Sequence, residues 1–178
     1  MKKIGATFGA ELIAAGLAGV PISFGGDGNI NFGENISSVD RAAVMAVYEA
    51  HDPVVSERSK KWESIKAERD RRTEQGGFKV GDKWFHSDQK SRSQQQDNEA
   101  AGEDLVQEDW KTMNGTFVTM TTDLARLIRL ARMSSDRAIF VAAEKHRSAM
   151  EVCENPDSYD FSGGWPQSFD EFTAKLEE

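Results

Sequence analysis

The chain has 178 residues, 38% hydrophobic and 29% charged, with a formal net charge of −8. That length fits one domain, or one domain with a small appendage, and the apolar share is enough to build a core. The acidic balance argues against general binding to nucleic acid or anionic lipid, and the one cysteine, Cys153, excludes both an internal disulfide and a cage of several thiolates around zinc.

Met1-Lys2-Lys3 followed by apolar residues to Val20 has the outline of a secretion signal. Glu11 interrupts that run and glycines at 5, 9, 16 and 19 dilute it, so secretion is not expected. No stretch reaches the roughly 18 apolar residues of a membrane span, so no membrane partner is expected. Residues 7–16 predict a short helix with Phe8, Leu12 and Ala15 on one face. Pro21-Ile22-Ser23-Phe24 and Ile30-Asn31-Phe32 flank a Gly/Asp/Asn cluster, the pattern of a β-hairpin. Asp27, Asn29 and Asn31 have the alternate spacing of calcium-loop ligands. Phe32 then stands where the loop needs glycine and Ser38 where it needs glutamate, so calcium is not expected.

Ser37-Ser38-Val39-Asp40 predicts a capped helix start, with an acid three residues after the hydroxyl. That helix runs to about Ala50 with Val39, Ala43, Ala46 and Val47 on one face. Asp52 can cap the next helix and Pro53 can take its first position. Residues 1–52 therefore read as a helix-hairpin-helix appendage and 53–178 as the main domain.

The next helix spans about Pro53 to Gln75, with Lys66, Arg69, Arg71 and Arg72 near its C-terminal end, where positive charge suits the helix dipole. Glu63, Glu68 and Asp70 are interleaved with them, which reads as a solvated, salt-bridged face rather than a nucleic-acid patch. A hairpin follows over 78–87, turning at Val80-Gly81-Asp82-Lys83, with Phe78, Val80, Trp84 and His86 on one face and Phe85 on the other. His86 and Asp88 lack a third ligand nearby, so no metal is expected and His86 reads as a structural histidine. Residues 90–104 predict a helix that breaks near Gly102, and the six acids from Asp97 to Asp109 read as a solvated face.

Trp110 to Met120 carries Asn114-Gly115 between alternating residues, a strong hairpin signal in which both turn residues take positive φ. Trp110, Thr112, Phe117 and Thr119 are expected on one face, and Lys111, Met113, Val118 and Met120 on the other. Thr121-Thr122-Asp123 opens the longest helix, about 122–153, with Leu124, Leu127, Ile128, Ala131, Ala138, Phe140, Ala142 and Met150 as its apolar positions. Ser134-Ser135-Asp136 reads as a kink or a second cap, and the helix ends before Asn155-Pro156. Aromatics from Tyr159 to Trp165 close the core, and Ser168 caps a last helix to about Leu176.

The fold class is therefore α+β: small antiparallel hairpins packed against several helices, with one long C-terminal helix. No His-Glu-x-x-His, Gly-x-Ser-x-Gly or Walker loop appears, and Cys153 lies two helical turns, roughly 10 Å, from His146. No catalytic residue and no cofactor is expected.

Several motifs recur in order: Trp62-x-x-Ile65-Lys66-Ala67-Glu68-Arg69-Asp70-Arg71-Arg72, Gly76-Gly77-Phe78, Trp84-Phe85-His86-Ser87-Asp88, Trp110-Lys111-Thr112-Met113-Asn114-Gly115, and Tyr159-Asp160-Phe161-Ser162-Gly163-Gly164-Trp165-Pro166. Together, over roughly 60–166, they resemble a domain of unknown function found in bacteriophages and prophages, in tail proteins and proteins encoded beside tail fibres. The 89–107 stretch departs from that pattern in being more polar and acidic. The resemblance implies a non-enzymatic tail protein, either an adaptor for tail fibres at the distal tail or a chaperone for fibre assembly. It would work in the virion tail, or in host cytoplasm during assembly, by binding a tail or fibre protein; a second copy of the chain is a further candidate partner. Trp84, Phe85, Trp110 and Trp165 are the candidate anchors, against the plainer reading that they are core. Two other classes stay open: a phage host-takeover or regulatory protein that binds a host protein, and a hydrolase built on paired carboxylates.

Overall fold

The computed structural model describes residues 2–177. In chain order the elements are α1 (Phe8–Ala14), β1 (Ile22–Phe24), β2 (Ile30–Phe32), α2 (Ser38–Ala50), α3 (Val55–Gln75), β3 (Phe78–Val80), β4 (Lys83–Phe85), α4 (Gln89–Ala101), β5 (Asp109–Lys111), β6 (Phe117–Thr119), α5 (Thr122–Glu151) and α6 (Phe169–Ala174). The strands form three separate two-stranded antiparallel hairpins, β1–β2, β3–β4 and β5–β6. The architecture is α+β, with small hairpins packed on helices and a 30-residue α5. The chain divides into two compact units, residues 1–62 with 153–159, and residues 63–152 with 160–178. The division falls inside α3, where the sequence placed it at Pro53.

In the first unit, Ile4, Phe8, Leu12, Val44 and Tyr48 form the core, with Val20, Ile22 and Ile30 packed around it. Ile4, Phe8 and Leu12 of the signal-like stretch are thus part of this core, with Val20 packed on it. Phe8 stands edge-on to Phe24 at 5.0 Å and to Tyr48 at 6.2 Å. The apolar stripes differ from expectation by about one position: Ala15 of the first helix region is exposed, and on α2 Val44 and Tyr48 are buried while Val39 and Ala46 face solvent. A small alanine on either side of α2 leaves the stripe ambiguous in sequence, and Phe8 selects the larger side chains. Ser37 caps α2 as expected, its hydroxyl accepting from Asp40 N at 3.0 Å. At the other end Lys2 Nζ donates to the Glu49 carbonyl at 2.7 Å, a cation against the negative end of the dipole. Asp52 Oδ1 accepts from Val54 N at 3.0 Å, and α3 begins at Val55, two residues after the predicted Pro53.

In the second unit, Phe78, Phe85, Met120, Ala125 and Ile128 form the core, with Leu105, Trp110, Val118 and Leu124 partly buried against it. β3–β4 turns on two residues, with Gly81 at φ +61° in the first position, so Phe78 pairs with Phe85 and Lys79 with Trp84. That odd register corrects the expected faces: Phe85 joins Phe78 and Val80 on the core side, and Trp84 is on the other side with Lys79. In β5–β6 the loop is longer, and Trp110 pairs with Val118 and Lys111 with Phe117. Trp110, Thr112, Val118 and Met120 therefore face inwards, and Phe117 is exposed, against the expected grouping. Gly115 alone takes positive φ (+80°), so Asn114 does not adopt the doubly left-handed turn.

Asp88 caps α4, accepting from Ser91 N at 3.0 Å, and Gly102 at φ +56° ends it. Thr121 caps α5 through Leu124 N at 3.2 Å. α5 runs unbroken through Ser134-Ser135-Asp136, where a kink or a second cap was expected. Its buried face is Ala125, Ile128, Arg132, Ile139, Ala142, Ala143 and Met150; Leu127, Ala138 and Phe140, expected on that face, are exposed. Ser168 opens α6 with a full capping box, its hydroxyl accepting from Glu171 N and Glu171 returning to Ser168 N.

Candidate interaction surface

The four candidate anchors are placed in three different ways. Phe85 is 1% exposed and stacks on Phe78 at 6.2 Å, so it is core. Trp84, on the opposite face of β4, is covered by α6: Phe172 lies 5.6 Å and Phe169 5.8 Å from its ring. Its Nε1 is buried without a hydrogen-bond partner, and the Trp84 ring borders an open groove of about 480 Å³ with Lys79, Ser134, Ser135 and Gln167. Trp110 is half-buried and borders a separate hollow of about 210 Å³ with Asp97, Glu108 and Asp109. Trp165 is half-buried, donating from Nε1 to the Phe161 carbonyl at 2.7 Å with His146 tilted over it at 5.0 Å.

Trp165 also supports an arginine that the sequence placed on a solvated face. Arg72 is only 5% exposed and lies 5.4 Å over the Trp165 ring. Its Nη2 donates to Glu171 Oε1 and its Nε to Glu68 Oε1, both at 2.6 Å, and its Nη1 to the Pro166 carbonyl at 3.0 Å. The hydrogen bond from Arg72 holds the Glu171 carboxyl below its ordinary range, and those from Arg71 and Arg72 do the same for Glu68 against the opposing effect of burial. A second arginine, Arg92 of α4, binds Asp136 of α5 through both Nη atoms at 2.7 and 2.8 Å. It also donates to the Thr73 carbonyl at 2.8 Å and to the Ser87 carbonyl. Asp136 is thus an anchor between helices rather than a cap, and the Asp136 hydrogen bond raises the Arg92 pKa. Both are two-pronged guanidinium–carboxylate pairs, which fix geometry as well as charge.

The titratable cluster of the first unit is also spoken for. His51 is 2% exposed; its Nδ1 lies 2.8 Å from Glu11 Oε2, and its Nε2 accepts from Gly5 N at 2.8 Å. With a backbone N–H aimed at Nε2, that nitrogen is a lone-pair acceptor and the proton sits on Nδ1. Burial acts to raise the Glu11 carboxyl, but hydrogen bonds from Thr7 and His51 hold it below its ordinary range. The arrangement ties α1 to the end of α2 and has no nitrogen left to take a substrate proton. Asp88 likewise serves the chain as the α4 cap, and beside it Gln95 Nε2 donates to the His86 backbone carbonyl at 2.8 Å, a bond that does not involve the imidazole. Among the described residues no group of three His, Cys, Asp or Glu side chains could hold a metal ion.

The surface that sequence reasoning missed is the outer face of α5. Leu127, Leu130, Met133, Phe140 and Val141 are 41–54% exposed and recur at helical spacing opposite the buried face. Phe140 and Val141 border a shallow open hollow of about 560 Å³ with Glu144, Lys145, Ser148 and Ala149. The signal was present: α5 carries more large apolar residues than one buried stripe can use. Assigning Leu127 and Phe140 to the core concealed it. No helix among the described residues is long and apolar enough to cross a membrane.

No curated protein and no solved structure matches the chain. A family model described as a domain of unknown function (DUF4376) matches residues 56–163, which takes in α3 from its second residue, β3 to β6 and the whole of α5. The chain belongs to this family.

Proposed function

We propose that this protein is a non-enzymatic bacteriophage tail protein that works by protein–protein binding, as an adaptor for tail fibres at the distal tail or as a chaperone for their assembly. The observation that carries the binding part of this reading is the row of large apolar side chains left exposed along α5. A row of half-exposed large apolar side chains along one helix face is a feature of interaction sites. The phage assignment rests on the ordered motifs from Trp62 to Pro166 and their resemblance to tail-associated domains. Trp110 and Trp165, both half-buried, remain separate candidate contacts. The acidic net charge of −8 suits a protein partner better than a nucleic acid.

Affinity capture from infected cells with the tagged full-length chain tests the reading. Recovery of a tail or fibre protein, lost when Leu130 and Met133 are both changed to Gln, is the expected result. Specific recovery of a host protein instead would overturn the tail assignment.

A further inference from the structure

We infer that the outer face of α5 binds a second copy of this chain, the two helices running antiparallel. Arg137 lies in the middle of the apolar row, one turn from Met133 and from Phe140 and Val141, and is exposed. The ion pairs of α5 among the described residues use Arg129, Asp136, Glu144, Arg147 and Glu151, and leave Arg137 out. Two turns further on, on the same face, stands Glu144, 39% exposed, whose ion pair is a long 3.8 Å contact to Arg147.

A cation amid apolar side chains, with an acid of the same face two turns away, is self-complementary under a two-fold axis. Antiparallel docking that sets Arg137 of one copy against Glu144 of the other forms the same pair twice. That register puts the axis between Phe140 and Val141, so these four side chains meet at the centre. Met133 then falls opposite Ser148, and Leu130 lies beside the exposed Val152 of the other copy. The seam from Leu130 to Glu151, symmetric about that axis, spans about 32 Å at the helical rise. A shift that instead paired Leu130 with Val141 would set Arg137 opposite Ser134, with no acid to pair with it in the seam. An isologous contact of this kind closes as a dimer and leaves no sticky end.

Sedimentation of the full chain across a concentration series tests this, with far-ultraviolet dichroism confirming that each variant is folded. The unaltered protein is expected to be a dimer at high micromolar concentration. Phe140→Glu, Arg137→Glu and Glu144→Arg are each expected to weaken association at least about tenfold. The double change R137E/E144R restores both pairs and is expected to recover most of the loss. A monomeric unaltered protein would overturn the inference. So would a dimer indifferent to all three single changes, or a double variant no better than the worse single one. The inference rests on the same exposed face as the proposed fibre contact, one partner at a time, so changing Leu130 and Met133 weakens both; R137E against R137E/E144R tells them apart, because only self-association is restored by the double change.

Discussion

Arg72 decides how α3 meets the C-terminal segment. Its guanidinium is nearly out of water, yet it has carboxylates on two sides, a carbonyl and an aromatic face. Replacing it with Met leaves Glu68 and Glu171 partly solvated, so the cost is that of lost charged hydrogen bonds, about 2–3 kcal/mol, rather than of a stranded buried ion. Urea unfolding of Arg72→Met checks this. Glu68, Glu171 and Asp88 all have folded pKa values held below the ordinary carboxyl range, Asp88 by its hydrogen bonds with Ser91. Their contribution is complete above the unfolded value of about 4 and is lost as pH falls through the lower folded values. Stability is therefore expected to be flat near neutrality and to decline below about pH 4, with a shallower decline in Glu171→Gln. Gly77 is a second residue with no substitute. It sits at φ +66°, and an added Cβ would come within 2.3 Å of Met113 Sδ and 3.1 Å of the Phe85 carbonyl. Gly77→Ala is expected to cost upwards of about 1 kcal/mol in the same unfolding experiment, from backbone strain and displacement of Met113. Gly76-Gly77 stood out in the sequence as part of an ordered motif, but nothing in it pointed to Arg72's role, because Glu171 is remote in the chain and the nearer acids imitate a solvated face.

At the scale of elements, local chemistry was legible and facing was not. Ser37, Thr121 and Ser168 announce helix starts because a hydroxyl followed by an acid two or three residues on satisfies orphan N–H groups, and each of these three hydroxyls does accept such a bond. The hairpins were equally readable from their glycines. Which side chains face inwards depended on loop length, and one residue of loop reverses the parity of a whole strand. Gly81-Asp82 made a two-residue turn and moved Phe85 into the core; the Thr112–Thr116 loop preserved parity and turned Phe117 outwards. α5 was legible in extent and in most of its face: Ile128, Ala142 and Met150 are buried and Leu124 and Ala131 pack on the core as expected, while Leu127, Ala138 and Phe140 are turned outwards. Both of its sides carry large apolar residues, and only tertiary packing against Phe78, Phe85 and Met120 chooses between them. The serine pair before Asp136 likewise read as a break until Arg92, from another helix, supplied the partner.

At the scale of the whole molecule, family membership covers most of the second unit, while the first unit has its own core around Phe8. The family carries no activity to transfer, so the account of function rests on the exposed face of α5 and on the resemblance of the ordered motifs to tail-associated domains. Those motifs were visible in the sequence; the proposed binding face was not, because the candidate anchors Trp84 and Phe85 are used inside. The most direct test is mass spectrometry of purified virions beside the infected-cell lysate, with the copy number of this chain set against the tail proteins. The account predicts either a stoichiometry that matches a tail ring or fibre set, or presence in the lysate bound to fibre protein with none in the particle. Absence from both particles and fibre complexes would contradict it and favour a host-directed role.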